Sequence, residues 1–184
     1  MSADQPQPGK DRRPLVGIVM GSDSDLPVME KTAEVLRKFD VPFEMTVASA
    51  HRTPARAAEF AATARERGVR VIIAGAGHAA HLAGAMAAHS TLPVIGVPID
   101  SSAFQGFDAL LSTVQMPPGI PVATVAVGKP GATNAGILAV QILAVGDPDL
   151  ARRLEAHRKE MAAGVEEKAR NHNAGRRGCV PAGY

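Results

Sequence analysis

LVGIVMGSDSDL, residues 15–26, is the stretch whose reading decides the fold. An apolar run, Leu15–Met20, breaks at Gly21-Ser22-Asp23-Ser24-Asp25. Behind it, Leu26–Phe39 places Met29, Ala33 and Leu36 on one helical face. Pro27 falls in the first turn, where a missing N–H is tolerated, and Ser24 or Asp25 is the expected cap. A strand, a short polar turn and a helix make one β-α unit.

The same grammar repeats along the chain. Phe43–Ala48 leads to a helix opened by Thr53-Pro54 and closed by Gly68. Val69–Ala74 leads to Ala79–His89, Pro93–Val97 to Phe107–Val114, and Val122–Val127 to Ala135–Val145. The apolar runs are continuous more than alternating, as parallel strands covered on both faces require. Five such units predict an α/β fold, a three-layer α/β/α sandwich around a five-stranded parallel sheet. Ala135–Val145 is apolar nearly all round and is expected to be buried on more than one side. Asp147-Pro148 then caps a long C-terminal helix to about Arg170, striped by Leu150, Leu154, Met161 and Val165. Residues 1–13 and 171–184 read as flexible tails, leaving 14–170 as one domain.

Composition narrows the function. Hydrophobic residues are 46% and charged residues 21% of the chain, which excludes a disordered polymer. Aromatics are only 3%, so stacking platforms for single-stranded nucleic acid are scarce. The formal charge is +2, and Arg12, Arg13, Arg176 and Arg177 lie in the tails, so no nucleic-acid partner is expected. A single cysteine, Cys179, argues for a reducing compartment. MSADQPQPGKDRRP carries no leader-like apolar segment, and no run approaches a membrane span; a cytoplasmic protein without a membrane partner is expected. The all-apolar helix and the last stripe ask for cover that a monomer lacks, so a homo-oligomer is expected.

In an open parallel sheet, ligands bind outside the carboxyl ends of the strands. Most small polar and titratable residues of the middle of the chain fall in those loops. Ser22, Ser24 and Asp25 lie just before a helix, where N–H groups and hydroxyls can cradle a phosphate; they also suit simple capping. GxxxxGK[ST] is absent. His51 and Arg52 follow the second strand: Arg offers a permanent charge and a fork for phosphate, and His moves protons near neutral pH. GAGHAAH, residues 75–81, sets two glycines before two histidines. No third ligand is fixed by spacing, so no metal is expected, and GxGxxG fails for want of its third glycine.

GIVMGSDSD (17–25), SAHRTP (49–54), IIAGAG (72–77), AAHLAG (79–84), PVIGVP (93–98), STVQMPPGIPVATVAVG (112–128) and NAGILAVQIL (134–143) together resemble the PurE family. These are the class I N5-carboxyaminoimidazole ribonucleotide mutases of bacterial de novo purine synthesis. The resemblance implies a flavodoxin-like fold, a homo-octamer, and a carboxylate shift from the exocyclic N5 to ring carbon C4 without metal, ATP or biotin. It implies that Ser22, Asp25 and Arg52 hold the ribonucleotide, with Ser24 and Ser49 as further phosphate contacts. His51 would transfer protons, and the 75–81 backbone, Gly77 included, would line the carboxylate and carbon dioxide pocket with His81. Gly75, Ala76, Gly77 and Ala80 are the expected walls.

Two positions depart from the family's usual GAGGAAHLPG: His78 stands for a glycine and Ala83 for the proline. His78 is expected to point outward or be tolerated. Two other readings stay open: direct carboxylation of aminoimidazole ribonucleotide by free carbon dioxide, and a non-catalytic nucleotide-binding module.

Overall fold

The computed structural model describes residues 12–175. Five strands, β1 (Val16–Met20), β2 (Phe43–Val47), β3 (Val71–Gly77), β4 (Val94–Ile99) and β5 (Ala123–Thr124), form one sheet in the order β2-β1-β3-β4-β5. Each pairing is parallel; Val16 stands between Phe43 and Val71. β1 and β4 are buried along their whole length, which is why their sequences show no polar alternation.

Helices α1 (Leu26–Lys38), α2 (Pro54–Ala62), α3 (Ala64–Arg67), α4 (Leu82–His89), α5 (Phe107–Val114), α6 (Gly128–Ala144) and α7 (Pro148–Gly175) follow the strands. On one face, Val19, Ile72 and Ala74 share a core with Ala57 and Ala61 of α2 and with Leu82, Ala83 and Met86 of α4. On the other, α1 lies against the sheet and against α6, where the buried Thr32 hydroxyl donates to the Ala132 carbonyl at 2.7 Å. The fold is flavodoxin-like, as expected.

Several boundaries moved for local reasons. Thr63 takes φ −91° and ψ −2° and donates its hydroxyl to the Glu59 carbonyl at 2.8 Å, so the helix opened by Pro54 breaks into α2 and α3. Gly68 closes α3 at φ 104°, the left-handed position read from sequence. β5 is two residues long instead of the expected Val122–Val127, since only Ala123 and Thr124 pair with β4. Gly128–Asn134, expected as a loop, forms the opening of α6; Pro130 falls where a helix tolerates it.

The chain divides into two compact units after Leu143. In the second, the Asp147 carboxylate accepts from the N–H groups of Asp149 and Leu150 at 3.0 Å each, the cap that the sequence announces. α7 continues past Arg170 to Gly175, and Met161 and Val165 of its apolar stripe are exposed. The rest of the expected tails, including Cys179, lies outside the described residues. Among the described residues, no helix is long and apolar enough to cross a membrane.

Candidate active site

β1 is flanked by β2 and β3, so the chain leaving β1 goes to one face while the chains leaving its neighbours go to the other. The carboxyl-end loops part there and leave a crevice. A cleft of about 540 Å³ occupies it, and Ser22, Ser24, Asp25, Ser49, His51, Arg52, Gly77 and His81 all line it. The sequence-expected site residues therefore converge on one place.

The first loop is a short 3-10 turn, Asp23–Asp25, capped by Ser22. Ser22 Oγ accepts from the Ser24 N–H at 3.3 Å, and Asp25 Oδ2 accepts from the Ser22 N–H at 3.0 Å, a reciprocal capping box. Ser22 caps this turn, while Asp25 takes the N-cap position of α1, one of the two expected, without a side-chain cap bond. Asp25 is 4% exposed. Its burial pushes the carboxyl above the ordinary value of 3.8, against the pull of the Ser22 and Gly21 N–H groups and of the charges of His78 and Arg52.

The second loop ties itself to the first. Arg52 Nη2 donates to the Gly21 carbonyl at 3.1 Å, and Ser49 Oγ accepts from the Arg52 N–H at 3.1 Å. Thr53 stands at the N-cap of α2, as expected, and spends its hydroxyl on Ser49, accepting from its N–H at 2.9 Å and donating to its carbonyl at 3.1 Å. His51 is thereby held at the rim of the cleft. Its Nε2 lies 2.8 Å from His81 Nδ1, with ring centroids 4.9 Å apart and planes at 86°. One nitrogen of the pair donates while the other accepts, so two imidazoles share a proton across the cleft.

The third loop brings Ala76, Gly77, His78 and Ala79 to the lining. At Gly77 a Cβ would overlap Ser101 Oγ and stand 3.1 Å from the Ile99 carbonyl, so only glycine fits. Two expected walls are elsewhere: Gly75 is buried against the Met29 side chain, and Ala80 is 1% exposed, its N–H donating to Ser112 Oγ at 2.9 Å. His78 is exposed to solvent at the cleft. It lines the cleft, takes φ 55°, and sets Nδ1 3.3 Å from Ser101 Oγ. Ala83 is buried in α4, within the sheet core. Ser101 joins the lining without having been singled out from sequence; its place just after β4, on the same sheet edge, was the available signal. Among the described residues, no group of three or more His, Cys, Asp or Glu is disposed to hold a metal ion.

A model of the AIR carboxylase family matches residues 15–164. The chain belongs to that family. Among family relatives, an N5-carboxyaminoimidazole ribonucleotide mutase of Pyrococcus horikoshii is 58% identical over 161 residues, covering 88% of this chain and 90% of that protein. A phosphoribosylaminoimidazole carboxylase of Ogataea methanolica is 58% identical over 142 residues, covering 77% of this chain and 26% of that longer protein. The crystal structure of Treponema denticola PurE superposes with a TM-score of 0.77 at 29% identity, covering 86% of this chain and 98% of that one. The AIR carboxylase family thus accounts for the whole sheet and every loop of the cleft.

Proposed function

We propose that this chain is an N5-carboxyaminoimidazole ribonucleotide mutase, moving the carboxylate of its substrate from N5 to C4 in de novo purine synthesis. The observation that carries the reading is the His51–His81 pair, 2.8 Å apart, beside the Ser22–Asp25 turn and Arg52 in one cleft. The activity of the Pyrococcus horikoshii relative supports it.

In this reading Ser22, Asp25 and Arg52 hold the ribonucleotide, with Ser24 and Ser49 as further phosphate contacts. His51 protonates the carbamate nitrogen. The N5–carboxyl bond breaks, leaving the neutral amine and carbon dioxide. Carbon C4 of the electron-rich ring attacks the carbon dioxide, and the now neutral His51 removes the C4 proton to restore aromaticity. The proton lent is recovered, and the steps balance without ATP, biotin or a metal ion. His81, hydrogen-bonded to His51, sets which nitrogen of His51 carries the proton. Gly77 and Ala76 give the carbon dioxide a close backbone wall, and its retention keeps the second step intramolecular.

Residues 14–170 form the catalytic domain in this reading, and the enzyme works in the cytoplasm as a homo-octamer. Phe104 and Phe107 are 72% and 63% exposed, and Leu111 and Val114 continue their stripe along α5; this is apolar surface that copies of the chain would cover. The alternative of direct carboxylation by free carbon dioxide draws on the family's description.

The test is to give purified protein the N5-carboxylated ribonucleotide without ATP or bicarbonate and to follow the C4-carboxylated product. Conversion supports the mutase. Product formed only from the uncarboxylated ribonucleotide with bicarbonate transfers the assignment to the carboxylase, and ribonucleotide binding with no conversion of either leaves a binding module.

A further inference from the structure

The Ala80 N–H donates to a side chain 32 positions away, Ser112 Oγ on α5, at 2.9 Å. Ala80 is buried, so its N–H depends on an acceptor from the protein. The Ser112 hydroxyl proton is itself spent on the Asp108 carbonyl, one helical turn back, at 2.8 Å. The oxygen is left to accept, and it faces the turn between β3 and α4.

Its position is set by the sheet. The next residue, Thr113, is buried, and its methyl group rests on Gly96 of β4 where a Cβ would collide with it. The Thr113 hydroxyl donates to the Ala109 carbonyl at 2.7 Å, which fixes that side chain in turn. α5 therefore holds Ser112 at one height above β4.

The residue that follows Ala80 is His81. Its N–H donates to the Ala79 carbonyl at 2.8 Å, and its carbonyl accepts from the Ala85 N–H at 2.9 Å in the first turn of α4. Helix α4 grips His81 from one side, and the Ala80–Ser112 bond anchors the turn on the other. His51 is held differently, by the Ser49–Thr53 and Arg52–Gly21 bonds of its own loop. One half of the imidazole pair is thus placed from within its loop and the other half from α5.

We infer that Ser112 is a positioning residue for proton transfer: by holding the buried Ala80 N–H, its hydroxyl sets His81 at contact distance from His51. The inference rests on the mutase reading above and deepens it. Ser112 does not line the cleft and touches no reacting atom; it acts through His81.

A double-mutant cycle on turnover of the N5-carboxylated ribonucleotide tests this. Ser112→Ala removes the acceptor and leaves a strong helix former in α5. Its kcat is expected to fall by roughly tenfold to a hundredfold, as a misplacement on the order of 1 Å does. KM is expected to stay unchanged, since Ser22, Asp25 and Arg52 hold the ribonucleotide from other loops. Ser112→Thr keeps a hydroxyl that can bond to the preceding turn, as that of Thr113 does, and is expected to restore kcat. His81→Ala removes the ring, and α4 loses no side-chain cap bond by it. Adding Ser112→Ala to His81→Ala is expected to cost nothing further, because the group being positioned is already gone. A merely structural role would instead multiply the two losses. Multiplied losses, full kcat in Ser112→Ala, or a threonine variant no better than the alanine one each overturn the inference and leave the mutase reading intact. Wild type that makes no product overturns both.

Discussion

His51 Nε2 and His81 Nδ1 meet at 2.8 Å although the loops that carry them follow strands that do not touch each other. β2 and β3 both pair with β1, and the two imidazoles reach across the carboxyl end of that shared neighbour. The contact is a product of strand order, and it sets one proton over the turn that begins at Gly21.

His51→Asn removes the group that would give and take that proton. Turnover of the N5-carboxylated ribonucleotide is expected to fall by about 10²–10⁴-fold, the usual worth of a positioned acid or base. Ribonucleotide binding, followed by calorimetry, is expected to persist. Substantial remaining turnover would count against proton transfer by this side chain.

Arg52→Ala removes both a charged donor and the tie to the Gly21 carbonyl. Charge-assisted hydrogen bonds contribute about 1.5–3 kcal/mol, so the ribonucleotide dissociation constant is expected to rise by roughly tenfold to a hundredfold. Titration calorimetry against the ribonucleotide reads this directly, and an unchanged constant would exclude Arg52 from the phosphate site.

Gly77→Ala tests the fit of the third loop. The added methyl would overlap Ser101 Oγ and crowd the Ile99 carbonyl at 3.1 Å, and a loss of about 1–3 kcal/mol is expected from such overpacking. Denaturant unfolding measures it. Adding Ser101→Gly should restore part of the loss, because the hydroxyl is the nearer obstacle.

Asp25→Asn separates burial from charge. The wild-type carboxyl is raised above 3.8 chiefly by burial, so between 3.8 and its folded value the native state holds more proton than the unfolded chain. That contribution is fully present below 3.8 and is lost as pH climbs through the folded value. The amide has no such dependence, so the stability of Asp25→Asn relative to wild type is expected to improve from acid toward neutral pH. Unfolding free energies of the two proteins across that range check the sign; parallel curves would mean that Asp25 titrates as in the unfolded chain.

Oligomerisation is tested by light scattering. The exposed Phe104, Phe107, Leu111 and Val114 lead us to expect a particle several times 19.1 kDa, and a clean monomer would leave that stripe unexplained.

The strands and their polar loops were legible because burial on both faces writes continuous apolar runs into β1, β3 and β4. The edge was not: Val122–Val127 has strand-like composition, yet only Ala123 and Thr124 find partners, and pairing is a tertiary fact that composition does not carry. Gly128-Lys129-Pro130-Gly131 reads as a loop because glycine and proline are counted as breakers, whereas a helix's opening turn accepts both. At the site, each residue type was readable and the contacts were not. His51 and His81 are 30 positions apart, and Ser101 and His78 are 23 apart; nothing in local patterning joins them. The left-handed turn at His78 was also hidden, since histidine in that position leaves no mark like that of a glycine.

Met29 of α1 rests on Gly75 of β3, a seat that exists only because the glycine presents no side chain. The same helix begins directly after the Ser22–Asp25 turn, so the height of that seat sets how far the turn projects over the sheet. In the proposed reading, a change in methionine packing beneath the turn would retune its hold on the ribonucleotide, giving evolution a dial on affinity that leaves the histidines untouched.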